Sequence, residues 1–555
     1  MVKSMVKNGT SFLFQTQKTI ISAASILSFA YAISAGLSFV RTRVLATYFG
    51  DSFELGVFFV ADRIPSFIYS LLVVGTLSAV FMPIFASIMK KDQDCAWKLS
   101  STVINISLLT FSVFGVLAFI FARQVMLGLS AGHLSKEGLL LGASLMRIMM
   151  LAQFVLIFSS FISVILQSFR YFIIPALAPI LYNIGMILGV VFLTPFLGIY
   201  GAAYGVVIGS FFHLLVQLPL LRKIKFKHSF SINLKEEGVS ELMGLIPHRL
   251  LATVFYQVSA IIDTSLAILI SAPSVVIFKF AEQLQSFPVN LFGVSIASAA
   301  LPTLSLESDD KDFSKFKDTF LTSLHQMLFL VIPISIILLV LRVPLVRLVY
   351  GASKFSWEAT ILTSYSVAFF SFSIFSQAAT YLITRAFYAI KDTRTPLKVM
   401  FFSVPFDILL SVFFIKYLNF GVWSIALSYS ISSIFDFLIL LHLLGKKVGW
   451  FDSNTLIEPF VKISYAAFFM GISLYAPMKI LEKFIFDTTR TVPLIFLTII
   501  ATSFGIVSYL FFTRMFAVKE VDLLYSLVSR FKVRPSIEAL KGASSMPEGT
   551  TTELS

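Results

Sequence analysis

Asp263 and Asp407 stand inside long apolar stretches with no basic residue one helical turn away. An ionised side chain near a bilayer centre costs roughly 2.5–3.5 kcal/mol even on lenient insertion scales. Each carboxylate must therefore be protonated, paired at a distance or bound to a cation. Ser403 precedes Asp407 by one turn, and Ser424 and Ser428 follow one turn apart. Oxygen donors alone suit a hard cation, so Asp263, Ser403 and Asp407 form a candidate Na+ site; a proton-carrying pair of carboxylates is the rival chemistry.

A second set is mostly basic: Arg41 and Arg43, Asp62 with Arg63, Arg147, Arg249, Lys279 with Glu282, and Arg385. Cationic side chains facing a cavity would suit phosphate groups. Arg43 and Arg63 lie near segment ends, where snorkelling to the interface is the plainer reading. Lys279 and Glu282 are one turn apart and can neutralise each other. Arg41 follows a Gly/Ser-rich stretch in which helices can approach closely, which favours exposure to a cavity.

The elements that position these residues are apolar segments near 19–40, 64–88, 100–122, 139–168, 172–194, 199–221, 242–270, 275–303, 318–341, 360–388, 397–418, 421–444, 459–478 and 492–513. Backbone groups cannot go unpaired in hydrocarbon and no period-two alternation occurs, so the segments predict helices. The fold class is an all-α polytopic membrane protein of about fourteen transmembrane helices. The first segment follows Lys3, Lys7 and Lys18 but continues to Val40, which favours an uncleaved spanning helix over a leader.

Basic residues mark the N-terminus and every second connection: Lys90, Lys91 and Lys98; Arg222, Lys223, Lys225 and Lys227; Lys311, Lys315 and Lys317; Lys391 and Arg394; Lys446 and Lys447; and the C-terminal Arg514, Lys519, Arg530, Lys532 and Arg534. These sides, with both termini, are predicted to be cytoplasmic. The polar connection 222–241 divides the first twelve segments into two six-helix lobes, 1–221 and 242–444. Residues 445–514 hold two further helices, and 515–555 a largely disordered tail. The turns Gln167–Pro175 and Arg385–Pro396 both combine aromatic and basic residues with a closing Pro, pointing to internal duplication around a central cavity.

The 555 residues are 57% hydrophobic and only 13% charged, with 61 Phe. A net charge of +14 reads as orientation signals and partners for anionic lipid rather than as nucleic-acid binding. Cys95 is the sole cysteine, which excludes an intramolecular disulfide. No nucleotide-binding loop, zinc-protease motif or dinucleotide fingerprint occurs. An enzyme is not indicated; a transporter would draw on an ion gradient, the membrane potential or the substrate's own gradient.

Gly36–Gly50, Phe58–Pro65 and Gly75–Phe85 together resemble the N-terminal signature of the MurJ/MviN family. Pro175–Asn183, Phe287-Pro288, Gly293-Val294, Leu301–Ser305, and Phe387-Tyr388 with Asp392 and Thr395-Pro396 extend the resemblance over roughly residues 20–515. It implies a fourteen-helix member of the multidrug/oligosaccharidyl-lipid/polysaccharide exporter superfamily in the bacterial inner membrane. Such a protein flips lipid II, the undecaprenyl-linked peptidoglycan precursor, by alternating access. It also implies coupling to membrane potential or to a cation, Na+ or H+. In some members Na+ is held where this chain has Asp263, Ser403 and Asp407.

The resemblance further implies a lipid-tail groove at the last two helices and cell-wall synthesis enzymes as partners. Of four clamp positions it retains Arg41; Ala35, Tyr69 and Gln283 replace arginines, and Gly56 replaces an Asp. Arg41, Arg63, Lys279, Arg147 and Gln283 are accordingly the candidate substrate-binding residues. Another lipid-linked glycan, a cation-coupled small-molecule exporter and a non-transporting scaffold are the alternative readings.

Overall fold

The computed structural model describes residues 20–73, 81–309 and 312–522. Lys3, Lys7 and Lys18, residues 75–80 of the signature, Lys311, and Arg530, Lys532 and Arg534 with the tail 535–555 fall outside the described residues, as does the side chain of Arg249. Among the described residues every regular element is helical. The first half comprises α1 (Ile20–Phe49), α2 (Phe53–Ala61), α3 (Arg63–Val73), α4 (Met82–Lys91), α5 (Gln93–Ile120), α6 (Ala122–Leu129), α7 (Lys136–Ser168), α8 (Ile173–Leu197), α9 (Ile199–Leu215) and α10 (Leu218–Lys223). The second comprises α11 (Val239–Ile270), α12 (Ala272–Pro288) running through a π-helical turn Val289–Val294 into α13 (Ser295–Glu307), α14 (Ser314–Val340), α15 (Arg342–Tyr350), α16 (Trp357–Ser371), α17 (Ile374–Ala389), α18 (Arg394–Lys416) and α19 (Trp423–Val448). Finally, α20 (Ser453–Phe484) and α21 (Thr491–Met515) pack on each other and against α14 and α15.

Twelve helices among the described residues are long and apolar enough to cross a membrane, thirteen if the bent pair α16–α17 is one span. The predicted total of about fourteen is therefore not reached by this measure. The first predicted segment corresponds to α1, a 30-residue helix outside that set, which ends in the stretch carrying Arg41 and Arg43. The second predicted segment started too late: the span begins at Phe53, capped by Ser52, whose side chain accepts from the Leu55 N–H. The polar Asp62–Arg63 pair that looked like a helix start lies in its middle, at a short break between α2 and α3.

The halves repeat one another in register. α7 starts at 136 and ends at 168; the α16–α17 pair starts at 357 and ends at 389, and both differences are 221. The caps repeat too: Ser135 accepts from the Gly138 N–H at 3.1 Å, and Ser356 from the Ala359 N–H at 3.0 Å. Both elements end in the same left-handed turn. Arg170 (φ 63°) and Lys391 (φ 60°) occupy its positive-φ position. Tyr171 N–H donates to Leu166 O at 3.0 Å, and Asp392 N–H to Phe387 O at 2.9 Å.

The repeats differ where α16 breaks. The bend to α17 is 45°. Ser371, Ser373 and Ser376 donate back to the carbonyls of Val367, Phe370 and Ser373, a competition with the helix ladder that bends helices. In the first half, by contrast, α8 and α9 are in near backbone contact: a Cβ on Gly189 would lie 2.1 Å from the Gly205 Cα. Small residues permit such close packing without any hydrophobic drive between helices in lipid.

Candidate functional site

α1, α2, α8, α9, α11, α12, α16 to α19 and the π turn line a half-open cavity of about 700 Å³. Its wall carries Arg41, Asp62, Asp263, Lys279, Glu282, Gln283, Ser403, Asp407 and Asp436. Most predicted site residues thus converge from segments far apart in sequence.

Arg41 donates from Nη1 to Asn183 Oδ1 at 3.1 Å, while its buried Nε has no hydrogen-bond partner. Asn183 is itself fixed, its amide nitrogen donating to Pro179 O at 3.0 Å and Ser34 Oγ at 3.3 Å. The guanidinium is therefore oriented from behind by a neutral side chain and keeps its charge for the cavity. Lys279 pairs with Glu282. Arg63 donates from Nε to Thr264 Oγ1 at 2.7 Å and lies 3.9 Å from Glu282, but it does not itself line the cavity. Gln283 lines it, within 3.4 Å of both Ser38 Oγ and the Tyr350 hydroxyl.

Asp263 and Asp407 line the cavity from α11 and α18, each with 4% of its surface exposed and a buried Oδ1 lacking a hydrogen-bond partner. Ser403, one turn before Asp407 on α18, is tied to α19, where Ser432 donates to the Ser403 carbonyl at 3.0 Å. Ser424 and Ser428 do not line the cavity; Ser428 instead shares a 2.5 Å hydrogen bond with Ser411. Among the described residues no three His, Cys, Asp or Glu side chains are grouped closely enough to hold a metal ion by themselves.

Arg147 is elsewhere. It donates to Phe119 O at 3.0 Å and lies over the Phe119 ring, outside the cavity lining. Arg43 is spent on structure, donating to Leu348 O at 2.5 Å across the two halves. Asp436 was not singled out from sequence, yet it lines the cavity with a buried, unpartnered Oδ1. The signal was present: an acid in α19 one turn beyond Ser432, inside an apolar run, is as costly as Asp407.

The model of the family described as "Lipid II flippase MurJ" matches residues 45–505. The chain belongs to this MurJ family. A probable lipid II flippase MurJ of Buchnera aphidicola subsp. Baizongia pistaciae is 28% identical over 460 residues, 82% of this chain and 89% of that protein. The lipid II flippase MurJ of Burkholderia cenocepacia is 27% identical, over 65% of this chain and 71% of its own. A solved structure described as lipid II flippase MurJ in an inward closed conformation superposes with TM-score 0.73 at 26% identity, covering 88% of this chain and 98% of that one. An inward-facing multidrug transporter of the MATE family, 15% identical with TM-score 0.61 over 78% of this chain, shares the fold.

Two of the positions at which the resemblance implies other residues have local explanations. At Gly56 a Cβ would lie 2.1 Å from Ala272 O, so a carboxylate side chain has no room. Tyr69 shares a 2.9 Å hydrogen bond with Ser160 and lies outside the cavity lining.

Proposed function

We propose that this multi-pass inner-membrane protein flips lipid II between leaflets by alternating access, Arg41 contacting the pyrophosphate and Asp263, Ser403 and Asp407 holding the coupling ion, Na+ or a proton. The observation that carries the reading is one half-open chamber lined by an oriented guanidinium and by two carboxyls that each have an unpartnered oxygen. Lys279 and Gln283 complete the contacts with the headgroup, and Arg63 acts through Glu282. Membership of the MurJ family supplies the substrate.

The moving units are the lobes 1–221 and 242–444, joined by the cytoplasmic linker 222–241, with both termini cytoplasmic. In this arrangement the lobes meet around the first and ninth connections: Asp51 accepts from Ser356 N–H at 3.0 Å and from its hydroxyl at 2.9 Å, near the Arg43 bond to Leu348. By the distribution of Lys and Arg, that end faces away from the cytoplasm. α20 and α21 form the groove for the polyprenyl tail, and cell-wall synthesis enzymes receive the product.

Complementation tests the reading. A bacterium depleted of its native lipid II flippase should regain outer-leaflet lipid II on expressing this chain and lose it with Arg41→Ala. A well-inserted parent chain that restores nothing would contradict lipid II as the substrate.

A further inference from the structure

The charges around the cavity do not suit a bare anion. Five acids line it, Asp62, Glu282, Asp263, Asp407 and Asp436, against two lining cations, Arg41 and Lys279. Lys279 is already paired with Glu282, and Arg63 behind the wall is shared with the same carboxylate. A pyrophosphate diester brings about two more negative charges into a site of low dielectric, where unscreened repulsion is most costly.

Second, Asp263 and Asp407 are more than nine-tenths buried, each with an unpartnered oxygen, and both line this chamber. Orphaned buried acceptors mark a missing donor or cation. Third, no described cluster of three ligands could hold a metal alone. Mg2+ does not need such a cage: it binds through one or two carboxylates together with substrate phosphates, keeping several waters.

We propose that the substrate enters as a divalent-cation chelate of its pyrophosphate, the metal bridging phosphate oxygens to Asp263 and Asp407 while Arg41 takes the remaining phosphate oxygens. The inference rests on the lipid-pyrophosphate reading above. It assigns the acidic wall to substrate recognition as well as to ion coupling: the chelated metal cancels the charge of the diphosphate, and the carboxylates distinguish a metal-loaded headgroup from a free one.

Calorimetry on the full-length protein in detergent tests this, with a short-chain prenyl pyrophosphate diester of a single sugar, lacking any peptide, as probe. Titrations are run with Mg2+, with chelator, and with Na+ at equal ionic strength. Binding should be at least about ten-fold tighter with Mg2+ than in either other condition. That gain should shrink to less than about three-fold in Asp263→Asn and Asp407→Asn, and persist in Arg41→Lys. Equal binding with chelator and Mg2+, or an equal gain from Na+, overturns the chelate. A Mg2+ gain retained in both Asn variants also overturns it, because the metal then acts on the probe alone. Absence of binding in every condition overturns the lipid-pyrophosphate reading itself, and the chelate with it.

Discussion

The two halves put matching positions on one cavity and equip them oppositely. By the 221-residue step, Ser38 matches Ser259 and Phe59 matches Phe280, and all four line the chamber. The Phe59 and Phe280 rings meet edge to face at 6.2 Å, close to the axis relating the halves. At other matched positions the chemistry has diverged. Thr42 stands where α11 carries Asp263, and Met186 where α18 carries Asp407; conversely, Arg41 matches Ile262 and its holder Asn183 matches Val404. The duplicated scaffold supplies symmetric positions, and a few substitutions turn them into a chamber to which one half contributes Arg41 and the other the Asp263 and Asp407 carboxyls.

The comparison breaks most sharply at Arg41. Arg41→Ala should lower flipping by about 10- to 150-fold, the equivalent of losing roughly 1.5–3 kcal/mol of charge-assisted hydrogen bonding, measured as lipid II exposure on the outer leaflet. Arg147→Ala, which removes an equal charge outside the chamber, should leave flipping within about two-fold of the parent; an equal loss would dissolve the distinction between cavity and surface arginines.

The anionic wall comes next. Asp263→Asn and Asp407→Asn should each cost about ten-fold in transport and flatten its dependence on the coupling cation, read from rates across a Na+ series at fixed pH. Gly189→Val sharpens the structural half of the comparison. Forcing a side chain between α8 and α9 should cost about 1–3 kcal/mol, seen as earlier thermal unfolding in detergent, whereas Gly36→Ala, with open space around it, should not.

The smallest effect belongs to the duplicated turn. Asp392 accepts from the Arg394 and Thr395 N–H groups, both at 3.0 Å, and from Lys447. Burial works against its charge, but the hydrogen bonds from Lys447 and Thr395 outweigh it and bring the carboxyl down to about 2. A depressed folded-state value gives stability that is present above the ordinary 3.8 and fades as pH falls toward about 2. Asp392→Ala should therefore destabilise by about 1 kcal/mol at neutral pH, and the gap to the parent should narrow only below the ordinary carboxylate range. The equivalent Tyr171 carries no such charge, so Tyr171→Ala should show no narrowing over that interval.

Helix identity was legible because apolar length is a coarse signal that survives local irregularity, and the duplicated turns were legible because Pro175 and Pro396 punctuate them. The boundary at Phe53 was not, since Asp62 and Arg63 resemble a polar helix start but lie mid-span, Asp62 on the chamber wall and Arg63 behind it. Asp263, Ser403 and Asp407 could be grouped from sequence because acids in hydrocarbon are costly wherever they occur. The same rule applied equally to Asp436. Arg147 could not be separated from Arg41 by type or spacing alone: what separates them is that α1 lines the chamber and α7 does not, and α7 is apolar nearly all round. The roles of Asn183 and Gly56 needed three-dimensional partners, since neither an amide nor a glycine announces in sequence what it packs against.

The most direct test of a polar chamber with two distinct walls is lipid II transport in vesicles reconstituted with the parent, Arg41→Ala or Asp263→Asn, each measured over a range of coupling-cation concentrations. The account predicts that Arg41→Ala depresses the rate at every cation concentration and leaves the shape of the cation dependence intact. Asp263→Asn should flatten that dependence. Identical changes in rate and cation dependence for the two variants would contradict it, because the coupling cation would then not distinguish Asp263 from Arg41.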